Sequence, residues 1–425
     1  MNHTHVSRRG FLRAVGAGAA TAALAPGAAG AAMTQEELVA ARHKARHRKR
    51  RIIMNNDGND FHSAAAEEPK TPESFLSKRT TPLVGSHVDA VFYCTGVFNL
   101  YTHRSDESEL ITHPEAAARY VHELIQQDTD SLEVMTKFGH EHGIEVFWSM
   151  RMNDTHDSAT DHLMCQWKKD HPDYMVGKKG QKQPYGCNRW SSVDYGLGPV
   201  RDKVYRIFED VCTRYDVDGI EMDFFRHPVL FRPQMTGEPV TQEHCDMLTG
   251  LVRRIREMTE RVGLERGRPV LIAARLFDSI GYCNALGIDL IRWLDEDLVD
   301  VLTGGGYFKF EPWQNWAAFG EKYDVPAYAC LVSRRLMSGG EPEAGTALKI
   351  WRGEAYNAWK AGVDGIYTFN RFDPRDPIFR ELGDPNLLET LERIDQESYV
   401  GDFWSKPEKW LKGGRAFVKD ANATQ

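Results

Sequence analysis

The sequence predicts an α/β protein folded as a (β/α)8 barrel. Two observations carry this. Eight short runs rich in β-branched and aromatic residues alternate with helix-like segments between Arg51 and Phe372. Such alternation means parallel strands joined by helical crossovers, and eight units are the number that closes a barrel. Carboxylates, amides, guanidinium groups and aromatics also gather at the C-terminal ends of the runs, the face on which barrel enzymes carry their chemistry. A doubly wound open sheet is the alternative. It calls for a Gly-rich phosphate loop after the first strand, and "NNDGND" holds neither GxGxxG nor GxxxxGK.

In chain order the strands are "RIIMNN", "DAVFYCTG", "IEVFWSMR", "VDGIEMDFF", "PVLIAARLF", "VDVLTGGGY", "PAYACLV" and "VDGIYTFNR". Between them lie helical segments such as "PEAAARYVHELIQQ", "SLEVMTKFGHEHG", "VRDKVYRIFEDVCTRYD", "HCDMLTGLVRRIREMTERVG", "NWAAFGEKYD" and "ALKIWRGEAYNAWKAG". The barrel domain is expected over residues 51–425, with a C-terminal extension. Residues 32–50 are a basic helical lead-in, "TQEELVAARHKARHRKRR", read as a solvated helix or flexible segment.

Residues 1–31 read as a twin-arginine signal peptide. Arg8 and Arg9 precede Phe11 and Leu12, then an Ala/Gly-rich run, with cleavage expected near Ala29-Gly30-Ala31. The run is too short and too weakly apolar for a membrane anchor. The expected location is therefore periplasmic or extracellular, and the export machinery is an expected partner. A 425-residue chain with 41% hydrophobic residues and a formal charge of -8 is globular, and its acidic balance argues against a nucleic-acid partner.

Seven cysteines with irregular spacing and no CxxC pair read as small buried hydrophobes, not as a disulfide framework. No metal or cofactor is expected. "GHEHG" resembles a metal motif but ends a helix ahead of a strand, at the wrong end of the unit for barrel chemistry.

The chemistry centres on the fourth strand. Side chains alternate along a strand, so Glu221 and Asp223 share the face towards the barrel axis, and Asp223 lies at the mouth. Burial and mutual repulsion should raise one of the two pKa values. Asp223 is the expected nucleophile or base. Asp278 and Glu311, at the fifth and sixth strand ends, compete as proton donor, and Glu221 completes the catalytic set. Arg151, Asn153, His227, Tyr307, Asn370 and Trp148 are the expected substrate-binding residues. Paired carboxylates suit glycosidic bond cleavage, amides and arginines bind hydroxyl and acidic groups, and aromatics stack on sugar rings. Ten tryptophans, with Trp148, Trp167, Trp190 and Trp313 in or near these loops, fit a carbohydrate cleft. The competing structural role for the acids is a salt bridge with a basic neighbour such as Arg151. Two other functions compete: a sugar-binding barrel without turnover, and a metal-dependent hydrolase using His156, Asp57 and His227.

"HPDY", followed by "SSVDYGLGPVRDKVYRIFEDVCTRYDVDGIEMDFFRHP", resembles the bacterial family-10-like glycosyl hydrolase barrels over residues 171–228. The resemblance implies a (β/α)8 fold and glycosidase activity, and it places Asp223 at the family's acidic position on the fourth strand. Glu221 stands where that family commonly has His.

Overall fold

The computed structural model describes residues 33–63, 67–181, 189–337, 342–395 and 406–420. The twin-arginine segment lies outside them. The barrel strands are β1 (Ile52–Asn56), β2 (Val88–Tyr93), β3 (Glu145–Arg151), β4 (Gly219–Asp223), β5 (Leu271–Leu276), β6 (Val301–Gly304), β7 (Ala327–Val332) and β8 (Gly365–Phe369). They close in sequence order, each parallel to its neighbours, and β8 pairs with β1. All eight expected strands are present, and the fold is a (β/α)8 barrel.

Alternation sorts the side chains into two layers. Ile53, Phe92, Phe147, Leu271, Val301, Tyr328 and Tyr367 pack together on the axis. Ile52, Met54, Val146, Trp148, Ile220, Met222 and Ile272 pack outward into the larger core beneath the helices. Gly219 is required on the axis: a Cβ there would stand 2.3 Å from the Phe147 ring.

The helical layer comprises α2 (Pro72–Arg79), α3 (Glu115–Gln126), α4 (Ser131–His142), α5 (Gly198–Arg214), α6 (Gln242–Arg266), α7 (Ile280–Ala285), α8 (Leu290–Asp295), α9 (Trp313–Tyr323) and α10 (Ala344–Lys360). Asp130 caps α4 by accepting from the amides of Leu132 and Glu133, and Gly143 closes that helix at φ +70°. The "GHEHG" histidines sit at this exposed helix end, where His140 pairs with Asp218 at 3.1 Å. The six described cysteines are free and buried.

The lead-in is a helix with an exposed outer face, and its inner face is buried against the barrel. It forms α1 (Gln35–Arg46), opened by a capping box between Thr34 and Glu37. Arg42 and Arg46 are buried and pair with Asp297 and Asp300. Arg50 is fully buried and grips Glu145 with two nitrogens, at 2.6 and 3.0 Å, beside the Phe147 ring. These arginines close the N-terminal end of the barrel, opposite the face where the acids lie. Residues Met33–Gln425 form one unit.

Candidate active site

Glu221 and Asp223 stand on the axial side of β4, as alternation requires. Glu221 is fully buried. Its Oε2 accepts from Ser149 Oγ on β3 at 2.5 Å and from the Tyr367 hydroxyl on β8 at 3.2 Å. Burial and the neighbouring charge of Asp223 raise its pKa to about 7, against the opposing pull of Arg275 and the two hydroxyls.

Asp223 lies nearer the mouth and is 2% exposed. Its Oδ1 accepts from Arg275 Nε at 2.9 Å and from the Phe225 amide at 2.9 Å. Arg275 is its register neighbour on β5. Arg151, the neighbour on the other side, was the expected salt-bridge partner and is engaged elsewhere. The Arg275 guanidinium lies 3.9 Å from the centre of the Phe369 ring. Its Nη1 and Nη2 have no partner among the described residues, nor do Glu221 Oε1, Thr303 Oγ1 on β6 or Asn55 Oδ1 on β1. These buried atoms leave the axis below the mouth with unmet hydrogen-bonding capacity.

A second polar group occupies the β1, β3 and β4 ends. Arg151 pairs with Asp57 and, at 2.8 Å, with Asp154. Asp154 also holds His156, through its amide and through Nδ1, each at 2.8 Å. His156 Nε2 meets Arg226 Nη2 at 3.3 Å. His227 accepts from the Thr155 amide at Nδ1, and its ring stands 5.0 Å from that of His156. Burial pushes Asp57 up, but Arg151 and Arg226 outweigh it and hold the group at about 2. Burial, with Arg189 and Arg226 nearby, pushes His227 well below the usual histidine range.

The Asp154, His156 and His227 donor atoms lie within 4.8 Å of one another and so form a candidate metal site. The structure keeps two members of the expected trio and puts Asp154 where Asp57 was expected. The surroundings oppose a cation: Arg151 sits on Asp154, Arg226 on His156, and Arg189 acts on His227.

Asp278 and Glu311 form a third group. Asp278 Oδ2 accepts from the amides of Phe310 and Glu311, at 2.9 and 2.8 Å, clamping the loop after β6 onto the end of β5. Asn315 donates to Glu311 Oε2 at 2.9 Å. Burial raises both pKa values, and the main charges acting on them are Lys309 and, for Glu311, Asp278. The rings of Phe225, Phe277 and Phe308 pack together, and Phe308 meets Phe310 of the clamp.

Two expected sugar contacts are corrected. Trp148 is fully buried on the outer side of β3, against Tyr101 and Phe208, and donates to Thr95 Oγ1 at 2.9 Å. Alternation puts it there, because Phe147 and Ser149 take the axial side. Asn153 spends its side chain on backbone: Nδ2 donates to the carbonyls of Val193 and Val229, and Oδ1 accepts from the Val193 amide. Trp313 is likewise buried and donates to Glu354. Tyr307 and Asn370 do stand at the mouth. Tyr307 is half-buried between Phe225 and Phe369, with Arg226 over its ring. Asn370 is partly exposed at φ +56°, and its Oδ1 has no partner among the described residues.

Sequence reasoning missed Ser149 and Tyr367 beneath the mouth, although the alternation that selected Glu221 also points both to the axis. It also missed what the C-terminal extension does. Residues Pro407–Asp420 cross the β4 and β5 ends. Trp410 stands 6.0 Å from the His227 ring, Tyr282 donates to the Pro407 carbonyl, and Ser279 to that of Phe417.

No protein-family model matches the chain, and no curated protein matches its sequence. Among solved structures, glycoside hydrolases are similar. The α-L-fucosidase isoenzyme 2 from Paenibacillus thiaminolyticus aligns at 15% identity and TM-score 0.46, over 80% of this chain and 49% of that one. The chain thus spans about half the length of that fucosidase. The PgaB (BpsB) glycoside hydrolase domain from Bordetella bronchiseptica aligns at 12% and 0.48, over 82% and 100%. Group II chitinase catalytic domain 2 from Ostrinia furnacalis aligns at 10% and 0.44, over 83% and 99%.

Proposed function

We propose that the chain is an exported glycoside hydrolase that cleaves a poly- or oligosaccharide at the barrel mouth, as the resemblance to the family-10-like barrels implies. One observation supports this most: two carboxylates stacked on the axial face of β4, Glu221 fully buried against two hydroxyls and Asp223 paired with Arg275. Unlike environments imposed on neighbouring acids are how sites divide acid and base roles. Asp223 is the nucleophile or base, and Arg275 holds it in place. Glu311 is the better proton donor, because Asp278 is committed to two loop amides. Tyr307, Arg226 and Asn370 contact the substrate at the rim. The twin-arginine segment takes the folded enzyme out of the cytoplasm.

A second reading, a sugar-binding barrel without turnover, has one observation in its favour: Asp223 is almost wholly enclosed and already ion-paired. The experiment that separates the two is a screen of the purified protein against a polysaccharide panel, followed by Asp223→Asn. Loss of a positioned nucleophile or base should lower kcat by about 10²–10⁴-fold or more, with the circular dichroism spectrum unchanged. Glycan binding without products in the native protein, or near-normal turnover in Asp223→Asn, would remove Asp223 from the mechanism.

A further inference from the structure

At the opposite end of the barrel, α1 presents a cluster that the glycosidase reading does not use. His43 and His47 lie one helical turn apart, so their imidazoles share a face, with ring centres 4.8 Å apart. Asp324 meets both. Its Oδ2 lies 2.9 Å from His43 Nε2 and its Oδ1 lies 3.5 Å from His47 Nε2. Asp324 closes α9 in the left-handed region at φ +55°, which fixes where its carboxylate projects.

We propose that His43, His47 and Asp324 form a binding site for a borderline transition-metal dication, with zinc as the natural occupant. The donor set is two imidazoles and one carboxylate, the composition of three-ligand zinc sites that keep a fourth position for water. The three donor atoms lie within 4.8 Å of one another. Tetrahedral donors at about 2.0–2.1 Å from zinc stand roughly 3.3 Å apart, so small side-chain rotations complete the geometry. The i,i+4 histidine spacing on a helix is the spacing that presents two imidazoles to one ion.

The electrostatics agree. Asp364 adds a second negative charge near His47. Arg46, whose charge acts on His47, is paired with Asp297 and Asp300. In this it differs from the Asp154–His156–His227 trio at the mouth, which three arginines surround. The site joins the last turn of the lead-in helix to the end of α9. A bound ion would therefore tie α1 to the barrel floor, adding to the Arg42 and Arg46 ion pairs.

The test uses the tag-free mature protein, stripped with chelator and dialysed, and titrated with zinc chloride by calorimetry and thermal unfolding. Zinc should bind and raise the Tm by a few degrees, because an ion that binds only the folded state stabilises it. His43→Ala and Asp324→Asn each remove one exposed ligand, and each should weaken binding by roughly tenfold or more and shrink the Tm rise accordingly. His156→Ala at the mouth should leave the zinc response intact. Cobalt(II) provides a second readout, since its d–d absorption should appear in the native protein and vanish in His43→Ala. Absence of a zinc response, an unchanged response in both ligand variants, or a response lost only in His156→Ala would each overturn the proposal. None of these readouts depends on glycosidase activity.

Discussion

Glu221 keeps its proton at a pH where an ordinary glutamate has lost it, and this has a consequence for stability. Its folded pKa of about 7 exceeds the ordinary 4.5, so the folded state binds the proton more tightly than the unfolded chain. The associated stability is full below pH 4.5 and is lost as the pH rises to about 7, a change on the order of 3 kcal/mol. Because Glu221 and Asp223 interact, that titration belongs to the pair. Glu221→Gln cannot ionise, yet its carbonyl can still accept from Ser149 and Tyr367. Chemical denaturation of both proteins from pH 4.5 to 8 should show the native protein losing stability relative to Glu221→Gln, with the variant the more stable at pH 8. A difference between them that does not change with pH would mean that Glu221 is ionised throughout.

Two residues show how far one rule carries. Alternation along β4 put Glu221 and Asp223 on the axis, and the structure agrees. The same alternation along β3 puts Trp148 outward, but its aromatic character had suggested a sugar platform. Geometry outranked composition. The partner of Asp223 was not legible in the same way, because register neighbours on both sides of β4 carry arginines and only packing decides between them.

At the scale of an element, α1 was the least legible part of the fold. Its basic residues look like a solvated face when read locally. The acids that bury them, Asp297 and Asp300, lie some 250 positions further along the chain, and no local pattern reveals so distant a pairing. Asp300 is the centre of this closure. It accepts from Arg42 at 3.0 Å, Arg46 at 3.0 Å, Arg256 at 2.6 Å and the Ile272 amide at 2.8 Å. Burial pushes its pKa up, but Arg256, Arg46 and Arg42 outweigh this and hold it at about 2. Asp300→Ala would leave buried guanidinium groups short of their counter-charge, which costs roughly 3–5 kcal/mol. Asp297, half-exposed beside the same arginines, should cost about 1 kcal/mol or less when changed to alanine. Urea unfolding of the two variants measures the contrast, and equal losses would show that α1 does not depend on a buried ionic centre.

At the scale of the whole molecule, the barrel was legible because each strand is a buried run between helical segments. The irregular connections were not. The short strands Gly96–Val97, Leu100–Tyr101 and Glu109–Leu110 are two residues each, too short to show a period, and the C-terminal strap is held by scattered contacts with no local signature. The loops also decide the chemistry. Their most consequential feature is the Asp154–His156–His227 trio, because a metal there would point to a different chemistry from the one proposed. The charges at the mouth weigh against it. A dication would have to compete with Arg151 and His156 for Asp154, take His227 Nδ1 from the Thr155 amide or use its other nitrogen, and settle beside Arg226 and Arg189. The carboxylate catalysis proposed at Asp223 needs no such ion. Turnover at room temperature should therefore be unchanged by EDTA, while the Tm falls if zinc has been stripped from His43, His47 and Asp324. If EDTA instead abolishes turnover and one divalent ion restores it, and if His156→Ala removes the metal requirement along with the activity, the reaction belongs to the trio and not to the β4 carboxylates.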